Sequence, residues 1–346
     1  MTRDLRLGLN TGYWSAGPPS GVEEAVAEAD RLGFDSIWTA EAYGSDVLTP
    51  LAWWGSKTRN VRLGTAIMQM SARQPAAAAM AAMTLDHLSG GRFILGLGVS
   101  GPQVVEGWYG QPFAKPLART REYVKIVRDI VARDGPVTND GPHYPLPLPD
   151  GTGLAKPLKS TIHPVRGEIP IFLGAEGPKN VALAAETCDG WLALFFSPGN
   201  QDFYRDALAE GFAREGARRS WDDFEIAATV PVIAHDDVEQ AADFLRPMYA
   251  LYFGGMGARS VNFHHDVAVR LGYEAEAKKI QDLYLEGKKD EAAAAVPTAL
   301  VEDLALIGPE DKIRADLDAW RESIVTTLLI GGDAALIRRV ADLVLG

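Results

Sequence analysis

The chain has 346 residues, 47% of them hydrophobic, enough for a large core in one big α/β domain or two smaller ones. A formal charge of −12, from 34 basic and 46 acidic residues, argues against a nucleic-acid binder and against an anionic membrane surface. The single cysteine, Cys188, excludes an intrachain disulfide and a cysteine-built metal site.

The opening MTRDLRLGLN has no apolar core of signal-peptide length, and no run is long enough to span a membrane, so a cytoplasmic protein is expected. Residues 5–10 read as a first strand and 22–32 as an amphipathic helix. Residues 34–39 form a second strand running out at Glu41, and 49–57 a second helix. Residues 61–67 are a third apolar run. Pro75 sits where a helix can begin, since the first turn tolerates its missing N–H. Residues 76–88 are rich in Ala, Met and Leu, and Gly90-Gly91 stops that helix. Residues 92–97 are the fourth strand, leaving through Gly98, Val99, Ser100 and Gly101 into an expected long loop at 101–116.

A helix is expected at 117–132, then a Pro- and Gly-rich excursion near 135–167 with a small hairpin at 138–144. Regular alternation resumes with strands at 169–174 and 190–195, each followed by a helix, at 179–187 and 201–215. A seventh strand is expected at 224–234 and a helical insertion near 237–304. Residues 325–330 and 334–345 supply the last strand and helix. Eight strand–helix steps predict a (β/α)8 TIM barrel over 1–346, with insertions after strands 4 and 7. A doubly wound sheet is the alternative, but no GxGxxG follows the first strand.

In a barrel the chemistry sits at the carboxyl ends of the strands. Those positions are Asn10, Thr11, Glu41, Gln69, Ser100, Glu176, Ser197 and His235. No lysine is among them, which disfavours a Schiff base, and acids and histidines are too sparse for a metal site. A small, glycine-rich set suits a flat heterocycle, whose cofactor chemistry the protein only positions. Gly174-Ala175-Glu176-Gly177 precedes a helix start, which can take an anion. A non-redox isomerase or lyase acting on a phosphorylated substrate at that turn is an alternative. Of the six histidines none has HExxH spacing. His87 reads as structural and His264-His265 as a surface or lid feature. Residues 253–259, with Gly254, Gly255 and Gly257, read equally as a mobile lid over the barrel mouth or as a surface helix–helix turn.

The stretch LDHLSGGRFILGLGVSG, residues 85–101, resembles the signature of the bacterial-luciferase-like flavin and deazaflavin oxidoreductases. The resemblance runs from Leu5 to the C-terminus and is closest to the branch using coenzyme F420, a 5-deazaflavin. It implies hydride transfer between F420 and an organic small molecule, with a flavin-mononucleotide (FMN) monooxygenase as the alternative, and a homodimer. It implies a non-prolyl cis peptide at Ala66–Ile67 backing the ring. Asn10, Glu41, Gln69, Gly98 and Val99 would stand around the ring. Ser100-Gly101 and the Gly174–Gly177 turn would hold the phosphate. Glu176 departs from that pattern, because its charge would repel phosphate unless it points away.

A second departure follows Trp38. The F420-dependent glucose-6-phosphate dehydrogenases continue with Ser-Asp-His, whereas this chain reads Thr39-Ala40-Glu41-Ala42. Their lysine after strand six is replaced by the Ser197-Pro198-Gly199 region, and their glutamate near Gly101 is absent. A glucose-6-phosphate dehydrogenase is therefore not expected, and some likeness to the methylene-tetrahydromethanopterin reductases remains. Glu41 has three readings: a catalytic proton donor, an acceptor orienting the ring, or a salt-bridge partner of Arg73.

Overall fold

The computed structural model describes residues 4–345. Eight parallel strands close into a barrel. In chain order they are Arg6–Asn10, Ser36–Thr39, Arg62–Thr65 with its continuation Met68–Gln69, Phe93–Gly98, Ile171–Gly174, Gly190–Ala193, Glu225–Thr229 and Thr327–Ile330. The first strand pairs with the second and the last, with Gly8 opposite Ser36 and Leu329. Closure is made where strand three meets strand four, Leu63 opposite Phe93. Parallel strands with both faces covered read as continuous apolar runs, and FILGLG is buried along its whole length.

The third strand is broken. Arg62–Thr65 stops at a cis peptide between Ala66 and Ile67, at the position expected. The chain then rejoins strand four, with Met68 opposite Leu97 and Gln69 opposite Gly98. Across the gap a side chain replaces the ladder. Thr65 Oγ1 accepts from the Gly96 N–H at 2.8 Å and donates to the Gly96 carbonyl at 2.7 Å. Below the break the barrel is plugged by Trp38, Ile94, Phe172, Leu192, Ala227 and Leu329.

The helix after strand three, Pro75–Ser89, starts on its proline and ends at Gly90 with φ 67°. The Gly90 N–H caps the Asp86 and His87 carbonyls, as the sequence predicts. The buried Asp86 in turn binds Arg166 of the excursion at 2.8 Å, and His87 Nε2 meets the His163 carbonyl, so both serve the fold.

Four expectations need correction. Residues 101–116 are not one loop, because Pro102–Gly107 forms a short helix. The hairpin in the excursion is wider than 138–144, with antiparallel bridges Asn139–Leu146 and Val137–Leu158. The seventh strand splits, since Pro231 has no N–H with which to continue a ladder. Glu225–Thr229 stays in the barrel, while Val232–Ala234 pairs with Leu306–Gly308 in a separate two-stranded sheet. That second strand and the following helix, Glu310–Glu322, lie beyond the expected insertion and were not expected.

The insertion itself is helical and has its own apolar cluster, which takes in Phe195 from the exit of strand six. Its glycines are positions of close approach. A Cβ on Gly255 would lie 2.3 Å from the Tyr284 ring, and one on Gly254 would lie 2.7 Å from Tyr284 Cβ. Gly257 would place one 2.5 Å from the Val261 carbonyl. The π-helical turn Leu251–Gly255 therefore lies directly on the helix Glu274–Leu285. No helix among the described residues is long and apolar enough to cross a membrane.

Candidate active site at the barrel mouth

The floor of the mouth is Ile67. It packs down on the barrel plug, and its side chain lies across strands four and five. Both neighbours must be glycine for this. A Cβ on Gly98 would meet Ile67 Cδ1 at 2.6 Å, and one on Gly174 would meet Ile67 Cγ2 at 2.8 Å. Ala66 and Ile67 remain half-buried, so this apolar floor is open above.

On the strand-two side the Glu41 carboxylate is buried, its side chain only 3% exposed, and fully engaged within the protein. Oε1 accepts from the Gln69 N–H at 2.9 Å and pairs with Arg73 at 2.6 Å, and Oε2 accepts from the Val47 N–H at 3.2 Å. Burial penalises the Arg73 cation, but its hydrogen bond and charge pairing with Glu41, with Asp46 behind, outweigh this and raise its pKa. The Gln69 amide donates back to the Glu41 and Ala42 carbonyls, and the Tyr109 hydroxyl donates to the Ala42 carbonyl at 3.1 Å. Of the three readings of Glu41, the geometry favours the salt bridge: the carboxylate ties the loops after strands two and three together.

On the strand-five side, Glu176 turns away from the helix start and binds His264 Nδ1 of the insertion at 2.7 Å. Arg270, one helix face along, donates to the Glu176 carbonyl at 3.2 Å. His264 stands edge-on to Tyr252, with centroids 4.9 Å apart, and to Phe195 at 5.7 Å. Asn262 fixes the helix that carries it, accepting from the His264 and His265 N–H groups. Tyr13, from the loop after strand one, stands beside Tyr252, and burial foremost raises the Tyr252 phenol. Tyr43, after strand two, and Trp108, after strand four, lie 6.5 Å apart, with Tyr43 on the Tyr252 side.

The remaining expected residues fall around this ring. Asn10 turns its Oδ1 to the Gly12 N–H at 2.9 Å. Val99 lines a side cavity of about 50 Å³ together with Ser71, Phe113 and Arg119. Ser100 holds φ 57°, and Gly101 precedes the short helix Pro102–Gly107. Ala175 is buried, and Gly177 precedes the helix Pro178–Thr187. Ser197 is buried on the exit of strand six. His235 is displaced from the mouth, because the barrel part of strand seven ends six residues earlier, at Thr229. Its ring closes a turn onto the Asp237 N–H instead.

The sequence reading missed His264, Tyr252 and Tyr13 as members of this site. Glu176 and His264 are 88 positions apart, and no local pattern links them. No group of three or more potential metal-binding side chains occurs among the described residues.

Several buried polar atoms at this end bond to no described residue: Gln69 Oε1, Ser71 Oγ, Glu176 Oε2 and Asn180 Oδ1. Buried polar atoms are normally paired, so these four, on the exits of strands three and five, are available to the polar groups of a ligand.

The sequence profile described as luciferase-like monooxygenase matches residues 7–327. The chain belongs to that family. A Mycobacterium tuberculosis protein provisionally named a coenzyme F420-dependent oxidoreductase is 57% identical over 99% of this chain and 100% of its own length. A 5,10-methylenetetrahydromethanopterin reductase of Archaeoglobus fulgidus is 28% identical over 90% of this chain and 89% of its own. Among solved structures, the coenzyme F420-dependent tetrahydromethanopterin reductase of Methanopyrus kandleri superposes with a TM-score of 0.80, at 22% identity and 99% coverage of both chains. An F420-dependent secondary alcohol dehydrogenase superposes with a TM-score of 0.78, at 18% identity, covering 99% of this chain and 98% of its own. These two show the luciferase-like barrel fold.

Proposed function

We propose that this luciferase-like chain is an F420-dependent oxidoreductase acting on a small organic molecule. The observation that carries the reading is the 57% identity, along the full length, to the M. tuberculosis protein given that role. The mouth suits it. Ile67, bedded between Gly98 and Gly174, would back the ring, and the unbonded Gln69 Oε1 would accept a ring N–H. Asn10 and Val99 would flank it. Ser100, Gly101, Gly174, Ala175 and the helix start at Gly177 would meet the phosphate, with Glu176 drawn off by His264. Bound F420 supplies or accepts the hydride. Glu41, with both oxygens taken, would fix the loops beside the ring without moving a proton. The reading extends to a homodimer in a reducing cytoplasm, a compartment that suits the buried, unpaired Cys188.

The test is equilibrium binding. Titrating the purified protein into F420 is expected to change F420 fluorescence saturably, and F420 should travel with the protein on gel filtration. FMN treated identically should separate from it. Retention of FMN with no retention of F420 would overturn the reading in favour of a flavin monooxygenase.

A further inference from the structure

His264 and Glu176 form a pair that the barrel alone would not contain. One residue comes from the turn after strand five, the other from the insertion after strand seven, and their atoms are 2.7 Å apart. A carboxylate only accepts, so the ring donates through Nδ1–H. Nδ1 is thus committed, while Nε2 bonds to no described residue. The side chain is 21% exposed, and the edges of Tyr252 and Phe195 hold the ring plane. An imidazole oriented by a carboxylate, with its far nitrogen free, is the arrangement that passes a proton to or from a bound molecule. Glu176 follows two residues after Gly174, against which Ile67 packs, so the strand-five turn that carries the pair leads directly from the floor.

The groups around it bear on its charge. Glu176 faces it from the strand-five turn, and Arg270, His265 and Asp266 share its helix. Tyr252 faces it from the π-helical turn, with Tyr13 and Tyr43 behind Tyr252. Among the described residues Glu176 is the only one of these bonded to the ring, and its second oxygen, Oε2, is buried without a described partner.

The rim beside the pair is apolar and open. Tyr13, Tyr43 and Trp108 are 42%, 62% and 64% exposed. Tyr13 and Tyr43 stand beside Tyr252, which touches His264, so the rim is continuous with the pair. Exposed aromatic rings around a cleft gain when an apolar ligand covers them.

We propose that His264 is a catalytic proton donor, positioned by Glu176, and that the substrate is an apolar carbonyl compound, or the matching alcohol in reverse. This rests on the reading that F420 carries the hydride. The carbonyl carbon takes a hydride from reduced F420, which returns to the oxidised form with release of a proton to solvent. The carbonyl π pair moves to oxygen and takes the Nε2 proton of a doubly protonated His264. Solvent then reprotonates the ring. Hydride addition to a carbonyl leaves charge on oxygen, and that is the charge a held imidazole can quench.

The test oxidises reduced F420 with acetophenone and cyclohexanone as probes, and glyoxylate as a small polar control. The two ketones should be reduced and glyoxylate should not. His264→Gln, whose amide NH2 can still donate to Glu176 and hold it off the phosphate, should lower kcat by about 10²-fold while KM for the ketone and F420 affinity by fluorescence stay within about twofold. Glu176→Gln should lower kcat less and change the shape of its pH profile, and Trp108→Ala should raise KM alone. In the cofactor-free protein, a downfield Nδ1–H proton resonance should be present in the parent and absent in Glu176→Gln. Reduction of neither ketone would overturn the substrate class. Parent-like kcat in His264→Gln across the pH range, or loss of F420 affinity together with kcat, would overturn the donor role. Should His264→Gln fail to fold, an unaltered pH profile in Glu176→Gln would overturn it. Failure of the parent to bind F420 would instead sink the cofactor reading, a result seen before any ketone is added.

Discussion

Glu41→Gln is expected to lower stability by about 3 kcal/mol and to weaken F420 binding about tenfold. Turnover at saturating cofactor should stay within about threefold of the parent. The buried carboxylate receives two backbone N–H groups and the Arg73 guanidinium. Glutamine has one acceptor oxygen and one NH2, so at least one of these donors would face another donor. Arg73 would lose its principal counter-charge while partly buried, and stranding one member of a buried pair costs far more than the pair is worth. The loops after strands two and three would loosen, and with them Gln69 beneath the ring position. Thermal melting, fluorescence titration and kcat together check this. A fall in kcat of about 10²–10⁴ with melting and affinity unchanged would reinstate Glu41 as a proton donor.

Gly96→Ala is expected to cost at least about 3 kcal/mol, at the upper end of overpacking effects, and to reduce soluble yield. A Cβ there would sit 1.8 Å from the Thr65 carbonyl oxygen and 2.8 Å from Leu192 Cδ1. The first obstacle is backbone, so rotating a side chain brings no relief. Thr65 is also the residue whose hydroxyl bridges the broken third strand to both backbone groups of Gly96. Pushing strand three away would break those bonds just before Ala66–Ile67, so the floor of the mouth would move with it. Thermal melting is the measurement, and an unchanged melting temperature would mean that strands three and four are not this close.

Much of the barrel is legible in the sequence because parallel strands buried on both faces are continuous apolar runs, as in FILGLG. Pro75 and Gly90 mark their helix for equally local reasons. The split of strand seven was missed because Val232–Ala234 is apolar like a barrel strand, and only its partner, Leu306–Gly308, shows that it has left. That partner is three residues long, too short for any period to register. The helix Pro102–Gly107 fails to register for the same reason.

The site divides along the same line. The glycines at 98 and 174 stand out in sequence, but their reason, the side chain of Ile67, is a contact between three strands. Arg73 was named beside Glu41 because only a few residues separate the ends of strands two and three from it. The His264–Glu176 pair depends on how the insertion folds back over strand five, which no stretch of either segment encodes alone.

Hydrogen exchange read by mass spectrometry, with and without saturating F420, shows at once whether the cofactor binds and whether it binds at the barrel mouth. Slowed exchange is expected in three separate segments, 66–69, 98–101 and 174–177, with the helices on the outside of the barrel unchanged. F420 at saturation leaving all three segments exchanging as in the free protein would contradict binding there.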